Sequence, residues 1–473
     1  MSFRLFSLQS IRRAACNISR AAGVALLGAV LLSACASLPD VSSGQRNPGA
    51  VRFEGGNGAL SSAQSAAILE RIKNRSGESS ILDRHVAVEQ AFVDSPLVVG
   101  NHVTLLKDGP ATYRAMFAAI RKARDHINLE TYIIEDDEVG RKFSDLLIEK
   151  QGQGVQVSLI YDSVGAINTP RAFFERLEES GVRTLEFNPI NPLVGKNKSS
   201  IGHRDHRKLL IVDGRLAFLG GINISSVYSA GSDPRAKRAV TGKSVPWRDT
   251  HVRIEGPVVA EYQKLFLETW EKQKGESLSG GHYFPKFEEV GKEIVHAVGS
   301  AADEPYSQIY VTLVSAINSA ETYVYFTNAY FVPDPQLLGA LKDAAQRGVD
   351  VRIILPSRTD FWAVFHAGRS HYSELLRAGV QIYERQGALL HAKTALIDGV
   401  WSCIGSTNLD WRSFVHNNEI DAVVLGDSFA QQLRAMFEDD LAESRAVDLD
   451  RWQRRSMVLR IKEWSARLWE YWL

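Results

Sequence analysis

At 473 residues, 45% of them apolar and 23% charged, the chain has the length of about three ordinary domains and the composition of a globular protein with a large core. Nine Trp, 14 Tyr and 20 Phe are too many aromatic side chains for a disordered chain, and 55 basic against 55 acidic residues offer no overall basicity to recruit nucleic acid. The same figures exclude a collagen-like or coiled-coil fibre and a polytopic membrane protein.

The chain opens with Arg4, Arg12, Arg13 and Arg20 and no acid, followed by the apolar run Ala21 to Leu32, which is the pattern of a secretory signal. That run is too short to span a bilayer as a helix, which takes about 20 residues. Leu32-Ser33-Ala34-Cys35 resembles a bacterial lipobox. The resemblance implies loss of residues 1–34, diacylation of Cys35, and a protein held by lipid on the periplasmic side of a bacterial cell envelope. Losing the leader removes four arginines and no acid, so net charge does not supply the attachment. Cys16 goes with the leader, which leaves Cys403 alone and no internal disulfide.

Residues 35–60, rich in Ser, Gly, Pro and Asn, read as the lipidated Cys35 and a flexible tether. Ser61 with Gln64, and Ser80 with Asp83, are capping-box starts that predict short helices over 61–95. From residue 96 one programme runs twice: a helix, an apolar strand, a helix, a Gly-Val-led strand, a helix and a second Gly-Val-led strand. In the first pass these are Tyr113–Ala123, Ile127–Ile134, Gly140–Lys150, Gly154–Tyr161, Ala172–Glu179 and Gly181–Phe187. In the second they are Tyr306–Ile317, Tyr323–Val332, Pro335–Gln346, Gly348–Pro356, Ser370–Arg377 and Gly379–Glu384. The alternation predicts an α/β protein of two pseudo-symmetric lobes, 96–275 and 286–447, each a mostly parallel sheet flanked by helices. The polar, Gly/Ser-rich stretch Glu271–Pro285 joins them.

The repeat is sharpest in one motif. His206, Lys208 and Asp213 recur as His391, Lys393 and Asp398 at a shift of 185 residues, which also pairs Gly220 with Gly405 and Asn223 with Asn408. A later shift of 170 pairs Asp249 with Glu419 and Gly256 with Gly426, so the first lobe carries 15 extra residues between Asn223 and Asp249. Strand parity puts His206 and Lys208 on one face and turns Asp213 away, and the same holds for His391, Lys393 and Asp398. Both aspartates therefore read as structural hydrogen-bonding groups that complete the motif, and the carboxylate behind each imidazole must come from elsewhere in the fold.

Over roughly residues 96–445, two His-x-Lys-x4-Asp motifs, each followed by Gly-x-x-Asn and a carboxylate, resemble the phospholipase D superfamily and, within it, the bacterial cardiolipin synthases. The resemblance implies one active site shared at the lobe interface, with Asp249 and Glu419 hydrogen-bonding a histidine's Nδ1 and His206 as the nucleophile. It implies phosphatidyl transfer between two phosphatidylglycerols through a phosphatidyl-histidine, giving cardiolipin and glycerol. Hydrolysis by the same chemistry, a tethered nuclease and a lipid-binding lipoprotein are the alternatives. The residues themselves suit phosphodiester exchange. One imidazole attacks phosphorus and the other protonates the departing alkoxide, while Lys208, Lys393, Asn223 and Asn408 hold the phosphate oxygens. No zinc-type spacing occurs, so neither a metal nor another cofactor is expected. The expected partners are a phospholipid and a membrane surface, not nucleic acid.

Several residues carry two readings. Tyr132 and Tyr330 end corresponding strands and either touch substrate or pack; His366, Arg369 and Tyr372 either line the pocket or lie on a solvated helix. His203 reads as a loop residue and Cys403 as a small buried hydrophobe. Lys196, Lys198, Arg204 and Arg207, with Arg235, Lys237, Arg238, Lys243 and Arg248, form two basic runs that read as solvated loops or as a surface for anionic headgroups. In the tail, 448–473, Met457, Ile461, Trp464, Leu468 and Trp472 fall on one helical stripe bordered by Arg460 and Arg467. That is the pattern of an interfacial helix, or of a terminal helix docked on the body.

Overall fold

A computed structural model describes residues 38–39, 41, 52–76, 93, 95–190, 202–230 and 245–473. The leader, Cys35, the Ser80–Asp83 helix start, and Lys196, Lys198, Arg235, Lys237, Arg238 and Lys243 lie outside the described residues. The chain clusters as two units, Met1–Pro39 and Asp40–Leu473, and everything below concerns the second.

Each glycine of the Gly-Val pairs ends a helix and opens a strand. Gly154, Gly181, Gly348 and Gly379 all adopt φ between 85° and 98°, a region glycine enters without a Cβ clash. At each, the following valine amide bonds back to the preceding helix, as Val155 does to the Lys150 carbonyl at 3.1 Å and Val349 to that of Ala344 at 3.1 Å. The chain is thereby turned back onto the sheet four times in the same way.

Eighteen of the described strands form one mixed sheet with a repeated order. One half runs Arg183–Phe187, Gln156–Asp162, His126–Thr131, Lys208–Val212, Leu216–Gly220, His251–Glu255, Leu97–Leu106. The other runs Gln381–Arg385, Asp350–Pro356, Tyr323–Asn328, Lys393–Ile397, Trp401–Gly405, Asn417–Leu425, Glu293–Ser300. Leu97–Leu106 pairs antiparallel with Glu293–Ser300 and fuses the halves. Parallel pairing is found in the outer three strands of each half, which helices connect. The motif strands return antiparallel, because the turn between Val212 and Leu216, or between Ile397 and Trp401, is too short for a crossover.

One apolar cluster contains Leu209, Ile211 and Ile254 from the first half and Leu396, Ile404 and Ile420 from the second, covered by Phe266 and Phe437 of the helices Val259–Lys272 and Asp427–Ala442. The two halves share this core, which fixes their relative position.

The N-terminal expectations divide. Ser61 and Gln64 form the capping box, with Ser61 N bonding Gln64 Oε1 at 3.0 Å and Gln64 N bonding Ser61 Oγ at 3.3 Å, at the start of the helix Ser62–Ser76. The expected tether does not reach residue 60: Phe53–Gly55 is a strand parallel to Leu97–Val98, and Phe53 is fully buried. Burial of one phenylalanine outweighs the loop-like composition around it.

Candidate active site

Both motif histidines enter on a two-residue strand held by the opposite half. Arg204–Asp205 pairs with Asn417–Asn418, and His206 N donates to the Asn418 carbonyl at 2.9 Å. Leu389–Leu390 pairs with Trp247–Arg248, and His391 N donates to the Arg248 carbonyl at 2.7 Å. The next residue along each partner strand is the carboxylate. His206 Nδ1 lies 3.0 Å from both oxygens of Glu419, and His391 Nδ1 lies 2.7 Å from Asp249 Oδ2. The carboxylates are thus exchanged, each half orienting the other's histidine. With Nδ1 engaged, Nε2 is the nitrogen each imidazole can offer to a substrate.

The electrostatics tie the two motifs into one site. Burial, the charges of Lys208 and Lys393, and His391 push His206 well below its ordinary pKa. His391 is lowered by burial and Lys393 against the opposing pull of Asp249. Burial draws Lys208 down to about 7 and also lowers Lys393. Lys208 Nζ donates to the His206 carbonyl at 2.6 Å, and Lys393 Nζ to that of His391. The carboxylates differ. Burial works to raise Asp249, yet His391 and Lys393 hold it below the usual range, whereas burial pushes Glu419 up to about 7. Glu419 also accepts from Ser406 Oγ and from Asn417 Nδ2 at 3.2 Å.

Asp213 and Asp398 are elsewhere. Asp213 accepts the amides of Arg124, Asp125 and His126, and Asp398 those of Glu321, Thr322 and Tyr323, each aspartate standing at positive φ in the hairpin after its motif strand. Asn223 and Asn408 are buried. Asn223 Oδ1 accepts Ile133 N at 3.2 Å and its amide donates to Tyr228 Oη at 3.1 Å; Asn408 N donates to Ser413 Oγ at 3.3 Å.

Tyr132 stands 5.0 Å, ring to ring, from His206, with Lys208 over its face, and Tyr330 stands 6.2 Å from His391. Two further aromatic residues at His391 were not expected: Trp247 at 5.1 Å and Tyr228, whose hydroxyl is 3.4 Å from Nδ1. The repeat shifts contained the signal, since Trp247 and Asn417 each sit two residues before the carboxylate and Tyr228 matches Ser413.

Other expectations need correction. Arg204, Arg207 and Arg248 are buried and therefore form no headgroup-binding loop. Arg204 bonds Ser163 and the Asn188 carbonyl; Arg207 reaches Thr269 and the carbonyls of Glu419 and Ser300; Arg248 pairs with Asp440 at 2.7 Å. Arg369 pairs with Glu384 at 2.7 Å beneath the Trp452 ring, and Tyr372 packs on that tryptophan, so this segment is packed by the C-terminal part of the chain and is not a solvated face. His203 lies beside His416, and Cys403 Sγ lies 3.6 Å from Asp421 Oδ2. Among the described residues, no group of three or more His, Cys, Asp or Glu is arranged to hold a metal ion.

Gly221 stands where the second half has Ser406, and a Cβ on it would overlap Asp249 Oδ1. Gly221→Ala is expected to displace Asp249 from His391 and lower kcat by about 10²-fold, the cost of an ångström-scale misplacement, while circular dichroism reports an intact fold.

The family model described as "Cardiolipin synthase, PLD-like domain" matches residues 116–229 and 313–441. A cardiolipin synthase of Geobacillus sp. (strain WCH70) is 36% identical over 377 residues, covering 79% of this chain and 73% of the relative. Cardiolipin synthase A of Pseudomonas aeruginosa (strain LESB58) is 36% identical over 350 residues, covering 74% and 69%. Among solved structures, phosphatidylserine synthase of Haemophilus influenzae Rd KW20 shares the fold with a TM-score of 0.59 at 13% identity, over 81% of this chain and 99% of that one. With both matched segments carrying one motif each, this chain belongs to the cardiolipin synthase family of phospholipase D-like transferases.

Proposed function

We propose that this protein transfers a phosphatidyl group from one phosphatidylglycerol to another, forming cardiolipin and releasing glycerol. The observation that carries the reading is the pair of buried histidines, each anchored through Nδ1 by the other half's carboxylate, in a chain 36% identical to cardiolipin synthases. In the first step His206 Nε2 bonds to phosphorus, the P–O bond to the headgroup glycerol breaks, and His391 gives its proton to the leaving oxygen. In the second, His391 takes the proton from a hydroxyl of the acceptor phosphatidylglycerol, that oxygen bonds to phosphorus, and the P–N bond breaks. Asp249, held ionised, favours the protonated form that His391 needs as acid. Burial and the charges of Lys208 and Lys393 keep His206 the neutral partner, which suits a nucleophile. The buried ammonium groups of Lys208 and Lys393 stabilise charge on the phosphate oxygens. Asn223 and Asn408 are assigned to the phosphate oxygens, and Asp213 and Asp398 brace the hairpins that follow the motif strands.

Attachment to the membrane is assigned to diacylated Cys35, on the periplasmic side. Among the described residues no helix is long and apolar enough to cross a membrane.

Mass spectrometry of lipids formed from phosphatidylglycerol by purified protein in EDTA tests the reaction. Cardiolipin and glycerol are the expected products, undiminished by chelation. Phosphatidic acid as the main product would replace transfer with hydrolysis, and activity restored only by one divalent ion would refute a metal-free site.

A further inference from the structure

The C-terminal helix Met457–Arg467 is mounted with its apolar stripe outward. It docks on the helix Trp362–Ser370 through Ala466, which is buried with Leu473 against Val332, Val364 and Ala367, while buried Glu463 pairs with Arg455 of its own segment at 2.7 Å. Ile461, Trp464 and Leu468 are 59–66% exposed and Trp472 is 50% exposed, the reverse of a terminal helix that packs to fill a core. Phe361 and Trp362, 48% and 49% exposed, lie at the start of the helix on which it docks. Arg460, Lys462 and Arg467 are exposed on the same helix.

This surface adjoins the site at two points. Asp360, next to Phe361, accepts the Tyr330 hydroxyl at 2.7 Å, and Tyr330 faces His391. Trp472 stacks on His416 at 6.1 Å, and the His416 carbonyl holds Arg204 N, two residues before His206.

We infer that the outward face of Met457–Trp472, with Phe361 and Trp362, docks on the interface of an anionic bilayer and sets the active-site mouth at headgroup level. Aromatic rings and arginines beside an apolar stripe suit that interface, where the rings sit among the headgroups and the basic groups meet anionic lipid. A second copy suits it less, because a two-fold contact would bring Arg460, Lys462 and Arg467 of both chains together. The inference rests on the proposed reaction only for the identity of the lipid turned over.

Tryptophan fluorescence of the full chain on phosphatidylglycerol vesicles with brominated acyl chains tests it. Of the nine tryptophans, Trp362, Trp464, Trp469 and Trp472 are the exposed ones, so bromine is expected to quench part of the emission. Replacing these four with Phe is expected to remove the quenching. Absent quenching in the native chain, or unchanged quenching in the substituted one, would overturn the inference, as would a dimer that Trp464→Glu with Leu468→Glu dissociates. That double variant is expected to lose tenfold or more of its turnover on vesicles and less than twofold on monomeric short-chain phosphatidylglycerol; equal losses on both would also overturn it. Quenching that follows this pattern in a protein that turns over no lipid would support the docking and refute the proposed reaction.

Discussion

Replacing His206 or His391 with Ala is expected to lower phosphatidyl transfer by about 10⁴-fold or more, and the double replacement to cost little beyond either one. Two histidines in two independent sites would each leave half the activity. Two histidines acting on one phosphorus leave almost none when either is lost, because the nucleophile and the proton donor act in the same step. Exchanged pairing of the Arg204–Asp205 and Trp247–Arg248 strands places both imidazoles in one charge environment, where His206 responds to Lys393 and His391 as well as to Lys208. Steady-state turnover and thermal melting of the three variants check this, with melting expected to stay near that of the native chain.

Glu419→Gln and Asp249→Asn are expected to lower kcat by about 10²- to 10⁴-fold with little change in KM, the range associated with neutralising the acid behind a catalytic imidazole. Each acts on the histidine of the opposite half, so Glu419→Gln should resemble a His206 defect and slow formation of the covalent intermediate. The two are also expected to differ in pH dependence. Glu419 is pushed up to about 7, so protonation below that pH removes the charge that orients His206, and kcat/KM falls on the acid side. In Glu419→Gln that limb is expected to be lost, since no carboxylate is left there to titrate. Asp249 is held below the usual carboxylate range, so no limb near neutrality is expected from it. A pH profile of Glu419→Gln that keeps the native acid limb would contradict the assignment.

The helices and strands were legible where a local signal sufficed. Gly154, Gly181, Gly348 and Gly379 mark helix ends because only a residue without a Cβ takes their positive φ cheaply, and the Ser61–Gln64 box marks a helix start. Parity along the motif strands turns Asp213 and Asp398 away from the histidines, and they are found bonded to backbone amides. The exchange of Asp249 and Glu419 between the halves was not legible. It depends on two-residue strands that join positions 213 and 142 residues apart, which no local pattern reports. Arg204, Arg207 and Arg248 misled for a related reason: a charge in a loop-like stretch reads as solvated until its partners, such as Asp440, are known. The tail's stripe was legible, but whether it faced inward or outward was decided by Ala466 and Leu473 finding the apolar socket.

The most direct test of a phosphorus passed between two histidines is peptide mass spectrometry after a single turnover of phosphatidylglycerol, stopped in alkaline denaturant, on the native, His391→Ala and His206→Ala proteins. A phosphatidyl-derived phosphoryl group is expected on the peptide containing His206 in the native protein, at no more than trace level in His391→Ala, whose first step lacks its acid, and on no peptide of His206→Ala. Label on the His391 peptide would reverse the two roles, and cardiolipin formed with no labelled histidine in any of the proteins would contradict the covalent mechanism.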